Sequence, residues 1–557
     1  MSVLPAALAR WRRRSAPADG VSRTAVAAGV ALWLVAVDNF SFWRTFFGAQ
    51  SASAATVGAS IALALVLWLT ATFVLRLLGV AWLAKPAWAS LLLISAFAAH
   101  FVDGWGVLLD KAMIRNVLQT DMRETADLVT AALLVDVLVR GVLPAVVVLL
   151  LPLRREQAWQ FAGAGAVLGV AVAALLAASL AAFYPSYAST FRNHRELRLQ
   201  LVPSNYLAAL YGVLRPKRET PFQVVAPDAR RTPVSRPLLV VLVVGETARA
   251  DNFSLGGYAR PTNQALAGKP LIYFSNVTSC GTDTATSLPC MFSDLGVERF
   301  SSETASRREN VLDVLQKTGV QVQWIDNNSG CKGVCDRVPN STVQAAERCL
   351  GAMGCMDDAL IRGLVRQWPE PTADALVVLH QQGSHGPAYY KRYPGPGPFT
   401  PTCQTNRLQE CNPQDVVNAY DNSIAFTSQV LAGLVEELER RAAGRDAVLL
   451  YVSDHGESLG ERGVFLHGMP RWLAPHEQSH VPMLLWMNRG ARTRLAPDSA
   501  CMQTLAQQPL SHDHLFHTLL GVFDVATRAY QPVLDALAPA RGRLPCPAAQ
   551  PATSAHP

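Results

Sequence analysis

The sequence predicts an α-helical membrane domain of five transmembrane helices, followed by an α/β domain built on a largely parallel sheet. Three observations carry this. Apolar stretches long enough to cross a bilayer are confined to the part before Tyr184, all ten cysteines lie after it, and from about Arg236 onward short β-rich runs alternate with helical patterns. The organisation expected is a membrane domain over 1–184, a connecting segment over 185–235, the α/β domain over 236–540 and a disordered, Ala/Pro-rich tail over 541–557.

The five apolar stretches run approximately Thr24–Trp43, Thr56–Leu78, Ala87–Val107, Leu128–Leu151 and Phe161–Phe183. The first is too long, and lies too far into the chain, for a cleaved signal peptide. Arg10, Arg12, Arg13, Arg14 and Arg23 precede it, Arg76 and Lys85 flank the second turn-around, and Arg154 and Arg155 the fourth. Basic residues of this kind stay in the cytoplasm, so an odd number of spans places the rest of the chain outside. The formal net charge of +7 is modest for 557 residues, which argues against a nucleic-acid partner.

An even number of cysteines, all beyond the last apolar stretch, indicates an oxidising compartment. Pairing neighbours along the chain gives Cys280–Cys290, Cys331–Cys335, Cys349–Cys355, Cys403–Cys411 and Cys501–Cys546. Cys331-Lys-Gly-Val-Cys335 also reads as half of a zinc knuckle, but the sequence holds no matching half.

The loop Asp110–Asp127 is polar, and Asn116, Thr120 and Glu124, four apart, fall on one face of an expected helix; spacing alone favours a solvated interfacial helix. Strands are expected at Leu238–Val244, Val320–Ile325, Ala375–Leu379, Ala447–Val452 and Pro482–Trp486. Helices are expected at Asn310–Thr318, Met356–Arg366 and Val416–Ala443.

Two of these strands end in acids. Leu238–Val244 runs into Gly245-Glu246-Thr247, and Ala447–Val452 into Ser453-Asp454-His455-Gly456. Carboxyl ends of parallel strands are where open α/β sheets hold ligands, and two carboxylates with an imidazole suit zinc, although each alone reads equally as a strand ending in a polar turn. The segment Cys280–Cys290 offers four hydroxyls, any of which a metal would activate, and composition does not say which. His385 and His467, each before a glycine, are either part of this site or packing residues.

Six segments in this order extend the pattern: Val244-Gly-Glu-Thr-Ala-Arg-Ala-Asp-Asn-Phe253, Cys280-Gly-Thr-Asp-Thr-Ala-Thr-Ser-Leu-Pro-Cys-Met-Phe292, Gly383-Ser-His-Gly-Pro387, Tyr451-Val-Ser-Asp-His-Gly-Glu-Ser458, Leu466-His-Gly468 and His476-Glu-Gln-Ser-His-Val-Pro-Met483. Together they resemble the phosphoethanolamine transferases that modify lipid A in Gram-negative inner membranes, a family that includes the mobile colistin resistance enzymes. The resemblance covers nearly the whole chain. It implies an alkaline-phosphatase/sulfatase-like periplasmic domain on a multi-pass inner-membrane anchor, acting as a monomer among membrane lipids.

The resemblance also assigns roles. Thr284 falls on the nucleophile, and Glu246, Asp454 and His455 on the ligands of a zinc that Thr284 also contacts. Lys332, His385 and His467 match residues around the phosphoryl group and a second, weaker zinc. Ser329, Asn116, Thr120 and Glu124 fall where the headgroup is handled. Asp283 departs from the family pattern; it would tune the metal or face solvent. The implied reaction moves phosphoethanolamine from phosphatidylethanolamine to a lipid A phosphate through a phosphothreonine, giving polymyxin resistance. Rival readings are transfer to a lipopolysaccharide core sugar or another glycan, phosphoglycerol transfer, hydrolysis by a sulfatase or phosphatase, and a membrane sensor without turnover.

Overall fold

The protein, as a computed structural model, is described over residues 20–49, 54–120, 122–215, 221–231, 236–343, 349 and 355–548. It divides into two compact units, one of Met1–Lys111 with Val129–Leu214, the other of Ala112–Leu128 with Arg215–Pro557.

Four described helices of the first unit are long and apolar enough to cross a membrane: Thr56–Leu78, Ala84–Trp105, Ala131–Leu150 and Ala158–Ala188. The stretch expected as one span from Thr24 to Trp43 is instead a pair, Arg23–Ala36 and Phe40–Gly48, bent by 56°. Asn39 explains the bend. Short polar side chains compete with helical hydrogen bonding, and Asn39 Nδ2 donates to Leu34 O at 2.7 Å and to Val202 O at 2.8 Å. Valines such as Val167 and Val170 stand fully outward on the last span, as on a lipid-facing surface. Arg76, expected to flank a span, turns inward. It is buried and pairs with Glu156 at 2.8 Å, with Thr24 Oγ1 accepting from it at 2.7 Å, which satisfies the charge internally. The last helix runs on to Asn193, beyond the expected span end at Phe183.

The second unit is organised on a sheet whose described strands are β1 Leu238–Gly245, β2 Leu271–Phe274, β3 Gln321–Asp326, β4 Asn340–Thr342, β5 Ala375–His380, β6 Asp446–Ser453 and β7 Met483–Met487. Their order is β2-β7-β6-β1-β5-β3-β4. β6, β1, β5, β3 and β4 are mutually parallel, whereas β7 runs antiparallel to both β6 and β2. An all-apolar run such as Met483–Met487 signals burial on both faces and carries no direction, so this reversal is invisible in the sequence.

β1 and β6 are buried throughout. Leu238, Val240, Leu242 and Val244 join a core with Leu288, Leu312 and Phe516, while the alternate residues Leu239, Val241 and Val243 are equally buried on the opposite face. Helices on both sides of the sheet therefore leave its strand ends as the place for polar chemistry.

All ten cysteines pair as expected from their neighbours: 280–290, 331–335, 349–355, 403–411 and 501–546. The zinc-knuckle reading of Cys331 and Cys335 falls with them. The last bridge also ties the start of the expected tail to the core, since Cys546 meets Cys501 in the helix Ser499–Leu505; residues 549–557 lie outside the described residues.

The loop expected as one helix over Asp110–Asp127 is two, Lys111–Gln119 and Met122–Leu128, with Thr120 in the break. Residues Ala112–Leu128 belong to the second unit, although they lie within the expected membrane domain. Arg115 donates to Ser302 Oγ at 2.7 Å, and Asp127 pairs with Lys391 and, at 3.1 Å, with Arg392.

Candidate active site and metal cluster

The parallel register of β1 and β6 aligns Gly245 with Ser453, so the next residue of each strand, Glu246 and Asp454, leaves the sheet at the same level. The pairing continues one step further, Asp454 N donating to Gly245 O at 3.0 Å. Glu246, Asp454 and His455 are each fully buried, and one ligand-type atom from each lies within 4.8 Å of the others. His455 Nε2 is 3.4 Å from Glu246 Oε1 and 3.5 Å from Asp454 Oδ2. His455 Nδ1 donates to Gly456 O at 2.9 Å, which leaves Nε2 as the ring nitrogen that faces the two acids and would bind a metal on losing its proton.

Thr284 opens the helix Thr284–Met291, and its hydroxyl meets the cluster. Oγ1 is 3.1 Å and 3.3 Å from the two Glu246 oxygens and 3.3 Å from His455 Nε2. Two of the three neighbouring hydroxyls are used elsewhere: Thr282 Oγ1 donates to Met469 O at 2.6 Å, and Ser287 Oγ lies 2.5 Å from Asp454 O, to which it donates. Geometry thus separates Thr284 from the other hydroxyls of the segment, as composition does not.

Asp283 is the N-cap of this helix, its carboxylate accepting from Thr286 N at 2.9 Å. Asp283 is buried rather than facing solvent, and it serves as a helix-start device beside the candidate nucleophile. Asp283→Ala is expected to cost about 1 kcal/mol of stability, and Asp283→Asn only a few tenths, because asparagine caps as well. Chemical denaturation of the two variants checks this.

The electrostatics suit a cation. Burial alone would raise the Glu246 carboxyl, but the hydrogen bond and charge of His455, with His385 and His467 beyond, hold it well below the usual range. Burial and the adjacent Glu246 charge push Asp454 up to about 7. His455, which burial would keep neutral, is drawn up to about 10 by Asp454 and Glu246. Asp454 Oδ2 is buried with no hydrogen-bond partner among the described residues. Two carboxylates, one imidazole nitrogen and one hydroxyl converge there, and the oxygen without a partner is what a bound divalent ion would satisfy.

Further residues shape the pocket. His385 and His467 stack edge to face with ring centroids 5.4 Å apart, and His467 lies 4.4 Å from His455. Gly383, at φ +51°, lets this loop pass against Glu246, where a Cβ would meet backbone, and Ser384 N donates to Glu246 O at 3.0 Å. Sequence reasoning missed Glu457, Asn328 and His512. Glu457 accepts from His467 Nδ1 at 2.7 Å and from Tyr389 OH at 2.6 Å. Asn328 donates to Glu246 Oε2 at 2.7 Å and is itself set by Asp326. The signal available was an unbroken polar run, Asp326-Asn327-Asn328, at the end of β3.

His512 joins the Ser453 and Cys280 segments of the candidate site. Its Nε2 donates to Ser453 O at 2.9 Å, and its Nδ1 accepts from Cys280 N at 3.1 Å. Burial lowers its pKa from 6.5 to about 4. Between these values the unfolded chain takes up a proton that the folded protein refuses, so this contribution to stability is complete above 6.5 and drains away as pH falls toward 4. The slope is about 1.4 kcal/mol per pH unit for one proton. Unfolding free energies of His512→Gln from pH 6.5 to 4.5 are expected to slope less steeply than those of the native chain by about that amount.

Lys332, with φ +50°, donates to Ser329 Oγ at 2.8 Å and to Gln119 O at 3.2 Å. Thr120 Oγ1 donates to Asn116 O at 2.9 Å at the end of that helix. Ser329, Lys332, Asn116 and Thr120 thus share one neighbourhood through Gln119, while the Glu124 side chain lies outside the described residues.

The phosphoethanolamine transferase EptA/EptB family model matches residues 65–218, and the sulfatase family model residues 239–525. "Phosphoethanolamine transferase EptA" of Escherichia coli K12 is 40% identical over 479 residues, covering 83% of this chain and 87% of its own. The chain belongs to the phosphoethanolamine transferase family. "Phosphatidylethanolamine transferase Mcr-1" of Escherichia coli is another relative, 38% identical over 540 residues, with 92% of this chain and 96% of the relative aligned. Among solved structures, the integral membrane lipooligosaccharide phosphoethanolamine transferase A of Neisseria meningitidis superposes with a TM-score of 0.87 at 33% identity, over 92% of this transferase and 98% of that chain. The α/β unit of this transferase is accordingly sulfatase-like, and the helices of its first unit are those of a membrane enzyme.

Proposed function

We propose that the protein transfers phosphoethanolamine from phosphatidylethanolamine to a phosphate of lipid A, in two half-reactions through a phosphothreonine at Thr284. The observation that carries this is Thr284 Oγ1 within 3.1–3.3 Å of both Glu246 and His455, at the ends of two parallel strands. Glu246, Asp454, His455 and Thr284 would hold one zinc. Zinc bound there supplies a lowered hydroxyl pKa and neutralises phosphoryl charge.

In the first half-reaction Thr284 Oγ bonds to phosphorus, and the phosphorus–oxygen bond to diacylglycerol breaks. His467, whose Nδ1 proton is held by Glu457, presents Nε2 as the group to move a proton at the leaving oxygen. In the second, a lipid A phosphate oxygen attacks the same phosphorus, and the Thr284 oxygen leaves. Lys332 is assigned to phosphoryl charge, and His385 and His467 to phosphoryl charge and a weaker second zinc. Ser329, Asn116, Thr120 and Glu124 are assigned to the ethanolamine headgroup. Both substrates are lipids, which accounts for a phosphatase-like unit on membrane helices.

We read the enzyme as an inner-membrane monomer with its α/β unit in the periplasm. The five disulfides of that unit support this compartment. Lost anionic charge on lipid A weakens binding of cationic peptides, so polymyxin resistance is the expected phenotype. Mass analysis of lipid A from cells expressing the protein is expected to show a phosphoethanolamine adduct. An adduct found instead on the core sugars, with lipid A unmodified, overturns the acceptor assignment.

A further inference from the structure

The turn that closes the site carries a second set of metal-type donors that the transfer reaction does not use. His476 and His480 are four apart in one helical turn, His480 N donating to His476 O at 2.9 Å, and their rings lie with centroids 4.5 Å apart. Asp251, in the turn Ala250–Asn252, faces both. The two segments are locked together by Ala250 N donating to His480 O at 3.0 Å.

Asp251 Oδ1 is 3.4 Å from His480 Nδ1 and 3.8 Å from His476 Nε2. Ligands about 2.0–2.1 Å from a tetrahedral zinc stand about 3.3 Å from one another, so the separations are those of a ligand set with small adjustment at His476. The tautomer agrees. His480 Nε2 donates its proton to Ser275 O at 3.0 Å, so Nδ1 is the ring nitrogen that faces Asp251 and would bind an ion once its own proton is displaced. A backbone carbonyl holding the far ring nitrogen is the usual support of a metal-bound histidine. Asp251 Oδ2 is buried without a hydrogen-bond partner among the described residues, while the His476 side chain is 64% exposed and open to an incoming ion.

We propose that Asp251, His476 and His480 form a further metal site, distinct from both zincs assigned above and open to solvent, that takes zinc or a similar borderline transition ion. Its position suggests what it would do. The turn bearing the histidines accepts backbone bonds from three residues of the catalytic loops: Gly456 N donates to Gln478 O at 3.0 Å, Glu457 N to Glu477 O at 2.9 Å and Ser279 N to Ser479 O at 2.8 Å. An ion there would cross-link the segment following Glu246 to the turn that buttresses His455 and the Thr284 loop. It is a brace, separate from the reacting atoms.

The test is zinc content of the full-length protein in detergent, stripped with chelator and re-equilibrated at a buffered free zinc concentration. The native chain is expected to hold one equivalent more than His476→Ala. The same difference is expected between Glu246→Gln and Glu246→Gln/His476→Ala, so the result stands whatever becomes of the catalytic cluster. Asp251→Asn provides the same comparison should His476→Ala fail to fold. Equal zinc in the native chain and a folded variant overturns the proposal.

Discussion

Thr284→Ala is expected to lower phosphoethanolamine transfer by about four orders of magnitude or more, the scale on which nucleophile deletions act in covalent catalysis. The size follows from isolation. Among the described residues, Thr284 Oγ1 is the hydroxyl of its segment that meets Glu246 and His455; Thr282 and Ser287 spend theirs on the carbonyls of Met469 and Asp454. Neither of those two stands ready to take over. Glu246, Asp454 and His455 remain, so bound zinc should persist and the loss should fall on kcat. Thr284→Ser restores a hydroxyl and is expected to recover part of the rate. A radiolabelled phospholipid assay beside metal analysis measures both quantities. Full activity in Thr284→Ala would remove the nucleophile from the account.

Asp454→Asn is expected to act in opposite directions on function and on metal-free stability. With zinc, the variant loses a charged ligand, and the stabilisation that zinc confers should largely disappear together with transfer. Without zinc, the native chain holds Asp454 Oδ2 buried without a partner beside Glu246, which is why its pKa climbs to about 7. Replacing that oxygen by an amide supplies a donor facing Glu246 and removes a buried charge, while Oδ1 keeps its bonds from Thr247 N and His455 N. The metal-free variant should therefore be more stable than the metal-free native chain at neutral pH, by about 1–3 kcal/mol. Chelator-treated and zinc-loaded samples compared by denaturation check both signs. A variant less stable than the native chain in both conditions would make Asp454 a structural residue only.

Much of the catalytic cluster was legible because its logic is local. Glu246 and Asp454 end apolar runs, and parallel strands must put such ends on one edge, so two acids in sequence became two acids in one place. Glu457, Asn328 and His512 were not legible for the opposite reason. Each acts through a partner set by tertiary structure, respectively His467, Glu246, and Ser453 with Cys280, and nothing in its own neighbourhood names that partner. The antiparallel course of β7 escaped because burial on both faces erases the period that would mark it. The bend at Asn39 was written in a polar residue within an apolar run, whose competition for backbone bonds outweighed the length of the stretch. The double attachment of Asp127 to Lys391 and Arg392 is likewise a long-range pairing, and it drew a segment expected among the membrane helices into the α/β unit.

The measurement that bears most directly on the account is rapid quenching of the full-length protein with phosphatidylethanolamine and no acceptor, followed by peptide mapping. A phosphoethanolamine group on Thr284, formed with release of diacylglycerol and cleared when lipid A is added, is the expected result. Consumption of phospholipid with no adduct, or with the adduct on another side chain, would contradict it.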